Sequence, residues 1–294
     1  MADFCSDTQH LLLLLQGGLG NQLMQYVFAE TLAKSTDRCL LGSKVLFGSK
    51  IRRFRGVTCR SVSPLLEHRF SWKVVPWHHE FWARLRARLP EAIVSTVITD
   101  CVLAEAAHAP DPLRYLSNRH VIHTHATHPL VFNPLFSESW HRILVDLGSY
   151  LRRPPPNIAL HVRRADYVSH SSGFCVLPES YYRSAIERAL VFSASQVSSP
   201  VIHAYSDDPA WCEAHLQDPR WSLRISVGSP EQDLASMAHA RILITANSSL
   251  SAVAAHLAQL RESQTKVLTP QRWLLVDDGR LGDLRKPDWV VVKP

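Results

Sequence analysis

Nowhere in these 294 residues does an apolar run approach the roughly 18–20 residues that a membrane-crossing helix needs. The six cysteines (Cys5, Cys39, Cys59, Cys101, Cys175 and Cys212) are scattered without a CxxC pair, which removes the case for a zinc ribbon or a thioredoxin-like redox site. No internal repeat or low-complexity tract occurs, and with 46% hydrophobic and 20% charged residues the composition is that of a folded globular chain rather than a disordered one. A secretion signal is also missing: the Leu11–Leu15 run is too short for one, and neither a basic segment before it nor a small-residue cleavage site follows the pattern. A cytoplasmic protein with free thiols is therefore expected.

Charge excludes less. Thirty-two Lys and Arg against 26 Asp and Glu leave +6, with a pI near 9.1, which suits an anionic ligand or a membrane surface equally. No RRM, KH or helix-turn-helix pattern accompanies it, so no nucleic acid is expected as partner.

What is present reads as alternating strands and helices. At about 100–200 residues per domain the length suggests two domains. Leu11–Leu15 has the continuous apolar character of a parallel strand covered on both faces. Gly17-Gly18-Leu19-Gly20 then turns the chain into a helix carrying Leu23, Met24, Val27, Phe28 and Leu32 on one face, with Asn21 expected as its N-cap. Residues 39–130 are the least legible, and 135–151 is again amphipathic. Pro154-Pro155-Pro156 ends that helix and is taken as the boundary between a first lobe, 1–153, and a second, 154–294.

In the second lobe, strands are expected at Ile158–Val162, Val201–Tyr205, Trp221–Val227, Ile242–Ala246 and Lys266–Leu268. Helices are expected at Glu179–Val191, from Pro209, at Asp233–Ala240 and after Asn247. The apolar run Trp289–Val292 is expected to pack back on the first lobe. The class is α/β: two Rossmann-like lobes with a cleft between them.

Ligands of open parallel sheets bind beyond the carboxyl ends of the strands, and three of these ends carry polar residues. The first reads His161-Val162-Arg163-Arg164-Ala165-Asp166-Tyr167. Two adjacent arginines on a rigid strand can clamp a diphosphate, because planar guanidinium forks bind its oxygens in pairs; an exposed ion network is the plainer alternative. The second is Ser206-Asp207-Asp208, where Asp208 precedes Pro209 as a helix cap and leaves Asp207 the freer carboxylate. The third is Asn247-Ser248-Ser249 at a helix start, where unpaired N–H groups attract anions unless a serine caps them. Gly17–Gly20 with Asn21 and Gln22 makes a phosphate-friendly turn but fits neither the GxGxxG nor the P-loop fingerprint. His123, His125 and His128 lack a carboxylate or cysteine at a ligand spacing, so no metal site is expected. Phe81–Leu89 interleaves Arg84, Arg86 and Arg88 with apolar residues and reads as a surface helix, with contact to a membrane or an acidic partner as the alternative.

Taken together the segments resemble the bacterial α-1,2-fucosyltransferases. Leu15–Tyr26 resembles their opening motif, His161–Tyr167 their HxRRxDY segment and Leu177–Ile186 their LPxxYYxxAI stretch. Ser206–Trp211 is similar to SDDxxW, Asp233–Ser251 to the D…M…ANSSxS segment and Val267–Trp273 to VxxPxxW, all in family order. The chain departs from the pattern at Ala165, where the family has glycine, and at Leu250-Ser251-Ala252-Val253-Ala254, where it has aromatics ending in a tryptophan pair.

The resemblance implies a GT-B fold with an acceptor-side first lobe and a GDP-sugar-binding second lobe. It implies inverting, metal-independent transfer of L-fucose from GDP-L-fucose to the 2-hydroxyl of a galactose-type acceptor in glycan synthesis, with no cofactor beyond the donor. Arg163 and Arg164 would hold the pyrophosphate, and Gly18, Gly20, Asn21, Gln22, Tyr167, Asp207, Asn247, Ser248 and Ser249 would complete the donor site. Asp166, His161 and Asp207 are the candidate bases. A GDP-sugar transferase with another acceptor, or a nucleotide-sugar-binding protein without turnover, is the alternative. A cytoplasmic site, reaching the inner membrane face transiently, goes with a lipid-linked acceptor.

Overall fold

The computed structural model describes residues 9–43, 62–69, 71–73, 97–98, 100–122, 128–164, 167–168, 174–193, 200–274 and 284–294. Ala165, Asp166, His123, His125 and the segments 51–60 and 81–89 lie outside the described residues. The chain forms two compact units, Met1–Trp140 with Gly279–Asp283 and His141–Asp278 with Leu284–Pro294.

The first unit is a parallel sheet of β1 (His10–Leu13), β2 (Cys39–Ser43), β3 (Ser71–Lys73), β4 (Val97–Ile98) and β5 (Val121–Ile122), in the order β3-β2-β1-β5-β4. Leucines 11, 13, 14 and 15 are buried, as a strand inside a covered sheet requires. Helix α1 (Leu19–Ser35) follows and is buried nearly all round. It starts earlier than expected. Gly18, not Asn21, is its N-cap residue, and Asn21 lies within the first turn. Short helices α2 (Pro64–Glu67), α3 (Asp100–Ala106) and α4 (Pro112–Leu116) complete the unit. Helix α5 (Ser137–Leu147) buries Trp140, Ile143 and Leu147, and the two units divide within it. Trp140 belongs to the first because its indole N–H donates to the Val131 carbonyl (2.7 Å) and its ring meets Phe132.

In the second unit β6 (Ile158–Val162), β7 (Val201–Ser206), β8 (Ser222–Ile225), β9 (Ile242–Ile244), β10 (Lys266–Pro270) and β11 (Val290–Val292) form a parallel sheet in the order β11-β10-β9-β6-β7-β8. Helices α6 (Glu179–Phe192), α7 (Pro209–His215), α8 (Pro230–Ala238) and α9 (Ser249–Arg261) connect them. Every residue of β6 is buried, and Tyr181, Tyr182, Ala185, Ile186 and Ala189 of α6 pack on one face of the sheet.

The run Trp289–Val292, expected to pack back on the first lobe, falls within the second unit. Val290–Val292 extends the second sheet beside β10, with Leu268 opposite Val290 and Pro270 opposite Val292. The reason is local. Three β-branched residues suit an edge strand, and Trp289 anchors them by donating its indole N–H to Gln259 of α9 (2.9 Å). Among the described residues no helix is long and apolar enough to cross a membrane.

Candidate functional site

The strand order of the second unit reverses direction between β6 and β9, which are neighbours although five elements (α6, β7, α7, β8 and α8) separate them along the chain. Where an open sheet reverses in this way, the connections after the two strands leave towards opposite faces and open a crevice at their carboxyl ends. The polar residues that follow β6, β7 and β9 all stand at that edge: Arg163 and Arg164 after β6, Asp207 and Asp208 after β7, and Asn247–Ser249 after β9.

Asp207 organises the edge. One carboxylate oxygen receives the Arg163 guanidinium at 2.8 Å, and the other accepts the Arg164 backbone N–H at 2.9 Å. Far from being the freer carboxylate, it holds both arginines. Asp208 serves as expected, accepting the Trp211 backbone N–H as the cap of α7 (3.2 Å), and it also stands 3.6 Å from Arg164 Nε.

Aromatic rings fix the guanidiniums from the other side. Arg164 lies 4.1 Å from the Trp211 ring centroid, and Trp211 is itself stacked on His215 at 4.8 Å. Arg163 lies 5.5 Å from the Tyr167 ring, which stacks on Phe174 at 4.6 Å with the planes 4° apart. Tyr167 then donates its hydroxyl to the Asn247 carbonyl (3.0 Å), linking the edge after β6 to the edge after β9. Trp211 enters the sequence reading only as the last residue of the SDDxxW-like segment, without a role at the site; Phe174 carries no sequence signal.

Asn247 is buried. Its amide donates to the carbonyls of Cys175 (2.7 Å) and Trp273 (2.8 Å), which leaves its side-chain oxygen without a partner. Ser248 occupies the N-cap position of α9 with an extended backbone, yet its side chain makes no capping bond. Ser251 instead returns its hydroxyl to the Ala246 and Ser248 carbonyls. The first N–H groups of a thirteen-residue helix are thus uncapped at the crevice, where the positive end of the helix dipole favours an anion. Ala252, Val253 and Ala254 of α9 are buried, and α9 packs against α8.

His161 is buried at the end of β6 with Nδ1 unpartnered. Burial, and then the charge of Arg163, push its pKa down to about 3, so at neutral pH it is an uncharged imidazole.

The remaining expected residues belong to the first unit. Gly17 has φ +77°, and a Cβ there would come within 2.5 Å of Asn21 Nδ2, so the turn requires glycine. Gln25 grips the strand end, accepting from the Gln16 N–H and donating to the Gln16 carbonyl, each at 3.0 Å. Gln22 donates to the Gly17 carbonyl (3.2 Å) and accepts from the Ser63 N–H (3.1 Å). Gly18, Gly20, Asn21 and Gln22 are thereby braced at the carboxyl end of β1, while Asn21 Oδ1 is buried without a partner. His128 caps a 3-10 turn, its Nδ1 accepting from Leu130 N–H (3.1 Å). Among the described residues no group of three or more His, Cys, Asp or Glu converges.

Residues 137–293 match the sequence pattern of glycosyl transferase family 11. The chain is 26% identical over 235 residues to the galactoside 2-alpha-L-fucosyltransferase Sec1 of Mus musculus, covering 75% of this chain and 57% of that protein. It is 25% identical over 256 residues to the galactoside alpha-(1,2)-fucosyltransferase 2 of Rattus norvegicus, covering 82% and 65% respectively. The chain therefore spans less than two thirds of either relative. Among solved structures, the fucosyltransferase NodZ from Bradyrhizobium is similar at a TM-score of 0.44 and 14% identity, over 84% of this chain and 93% of that one.

Proposed function

Because the chain belongs to glycosyl transferase family 11, we propose that it transfers L-fucose from GDP-L-fucose to the 2-hydroxyl of a galactose-type acceptor, with inversion. The observation that carries this reading is the pair of arginines held by one carboxylate beside an uncapped helix start. That arrangement suits a diphosphate that becomes more negative as it departs.

The acceptor hydroxyl oxygen forms the new bond to the anomeric carbon. The bond from that carbon to the phosphate oxygen breaks, and GDP leaves with the electron pair. An oxocarbenium-like transition state makes bond breaking run ahead, so stabilising the leaving diphosphate is the main task. Arg163 and Arg164 supply two cationic forks, already oriented by Asp207, Tyr167 and Trp211. The α9 N–H groups supply dipoles. Cations built into the protein would make a metal ion dispensable.

The acceptor's proton needs a destination. His161, with its pKa near 3, is a weak base at neutral pH, and both Asp207 oxygens are engaged. We therefore assign the base to Asp166 and give neutral His161 the role of a hydrogen-bonding wall of the donor site. Work in the cytoplasm, with the membrane face reached only when a lipid-linked acceptor demands it, belongs to the same reading.

The test is GDP release from GDP-L-fucose in EDTA, with and without lactose. Acceptor-dependent release is expected, reduced about 10²–10³-fold in Arg163→Ala, the usual cost of removing one electrostatic donor. Tight GDP binding without release would shift the reading to another acceptor, another donor sugar or a binding protein. Neither binding nor release would overturn it.

A further inference from the structure

The amino end of the second sheet, opposite the crevice, holds a second charged site. Register places His203 of β7 directly opposite Arg224 of β8, so both side chains emerge on one face. Arg153, just before the prolines that lead into β6, completes a trio of basic residues around a cavity of about 420 Å³. Pro154–Pro156 and Pro200 wall it, and Asn157 closes one side by donating to Ser193 Oγ (2.8 Å).

Two further observations show that this positive charge is not spent internally. Among the described residues no aspartate or glutamate lines the cavity, and neither Arg153 nor Arg224 has an ion-pair partner. Burial, followed by the charges of Arg224 and Arg153, lowers the pKa of His203. Rigid proline walls also mean that little conformational freedom is lost when a ligand settles there.

We propose that this cavity binds the phosphate group of a small phosphorylated compound, of sugar-phosphate or nucleotide size, at a site separate from the donor crevice. Guanidinium forks bind phosphate oxygens in pairs. The volume lies near the lower end of the roughly 300–1,000 Å³ typical of small-ligand pockets. About 15 Å of strand separates the two ends of the five-residue β6, so one ligand phosphate does not serve both sites.

Inorganic pyrophosphate, titrated calorimetrically at low salt into Arg163→Ala/Arg164→Ala, in which the donor clamp is removed, tests this directly. It is expected to bind that variant with one site per chain. Arg153→Ala and Arg224→Ala, both at exposed positions, should each weaken binding about tenfold, the loss of one charge-assisted contact. Absence of binding in the clamp-deficient background, or binding there that survives the further changes Arg153→Ala and Arg224→Ala undiminished, would overturn the proposal. Because the readout needs no donor sugar, its failure is distinct from a failure of the fucosyl-transfer reading.

Discussion

Arg164 has its backbone N–H on Asp207 and its guanidinium over the face of Trp211, so Trp211 acts on the reaction only through that arginine. Trp211→Ala is expected to lower kcat about tenfold with a smaller change in KM for donor, in keeping with a cation–π contact worth roughly 1–2 kcal/mol when shielded. Trp211→Phe keeps a ring face and should restore most of the rate; equal losses in both variants would show that packing, not orientation of Arg164, was at stake. The arginines themselves are legible because the strand before them is unmistakable and two adjacent cations at its end are conspicuous. The role of Trp211 is not, since a tryptophan one turn into a helix is ordinarily core. Asp207 was misjudged for a similar reason: sequence reveals that a carboxylate is not needed as a cap, but not which arginine reaches it.

Among elements, the turn after β1 offers the sharpest test. Gly17→Ala must place a methyl group against Asn21 in a left-handed backbone conformation, at a cost of about 1–2 kcal/mol. A lower urea midpoint with an unchanged slope is the expected result, and a wild-type midpoint would mean that the turn relaxes. Elements of the second unit are readable where a strand is an apolar run ended by polar residues, as in β6, or a helix opens on a signal such as Asp208-Pro209; α8 begins at Pro230, three residues before the expected Asp233, because the Ser229–Gln232 capping box starts it. Strands β3, β4 and β5 are not readable, being only two or three residues long, too short to show any period. β11 reads as apolar, but its place beside β10 is not visible, because pairing across a sheet is set by the whole topology and leaves no local trace.

For the whole molecule, acid is the weakness. His161 and His256 are buried and held neutral, with pKa values pushed below the ordinary histidine range. Unfolding returns each to about 6.5. Between that value and about 3 the unfolded chain binds a proton that folded His161 refuses, so stability must fall as pH drops through this window. Thermal midpoints measured from pH 7 to pH 4 should decline, and the decline should be shallower in His161→Gln. An identical slope in that variant would assign the loss to other groups.

The order of the second sheet also has a consequence in time. During synthesis β6 leaves the ribosome first among its six strands, β11 last, and the flank occupied by β9, β10 and β11 is built inward to outward. Until Val290–Val292 emerges, β10 presents an unpaired edge to every other nascent chain nearby. Chaperone dependence should therefore concentrate in the interval between the emergence of β10 and that of β11.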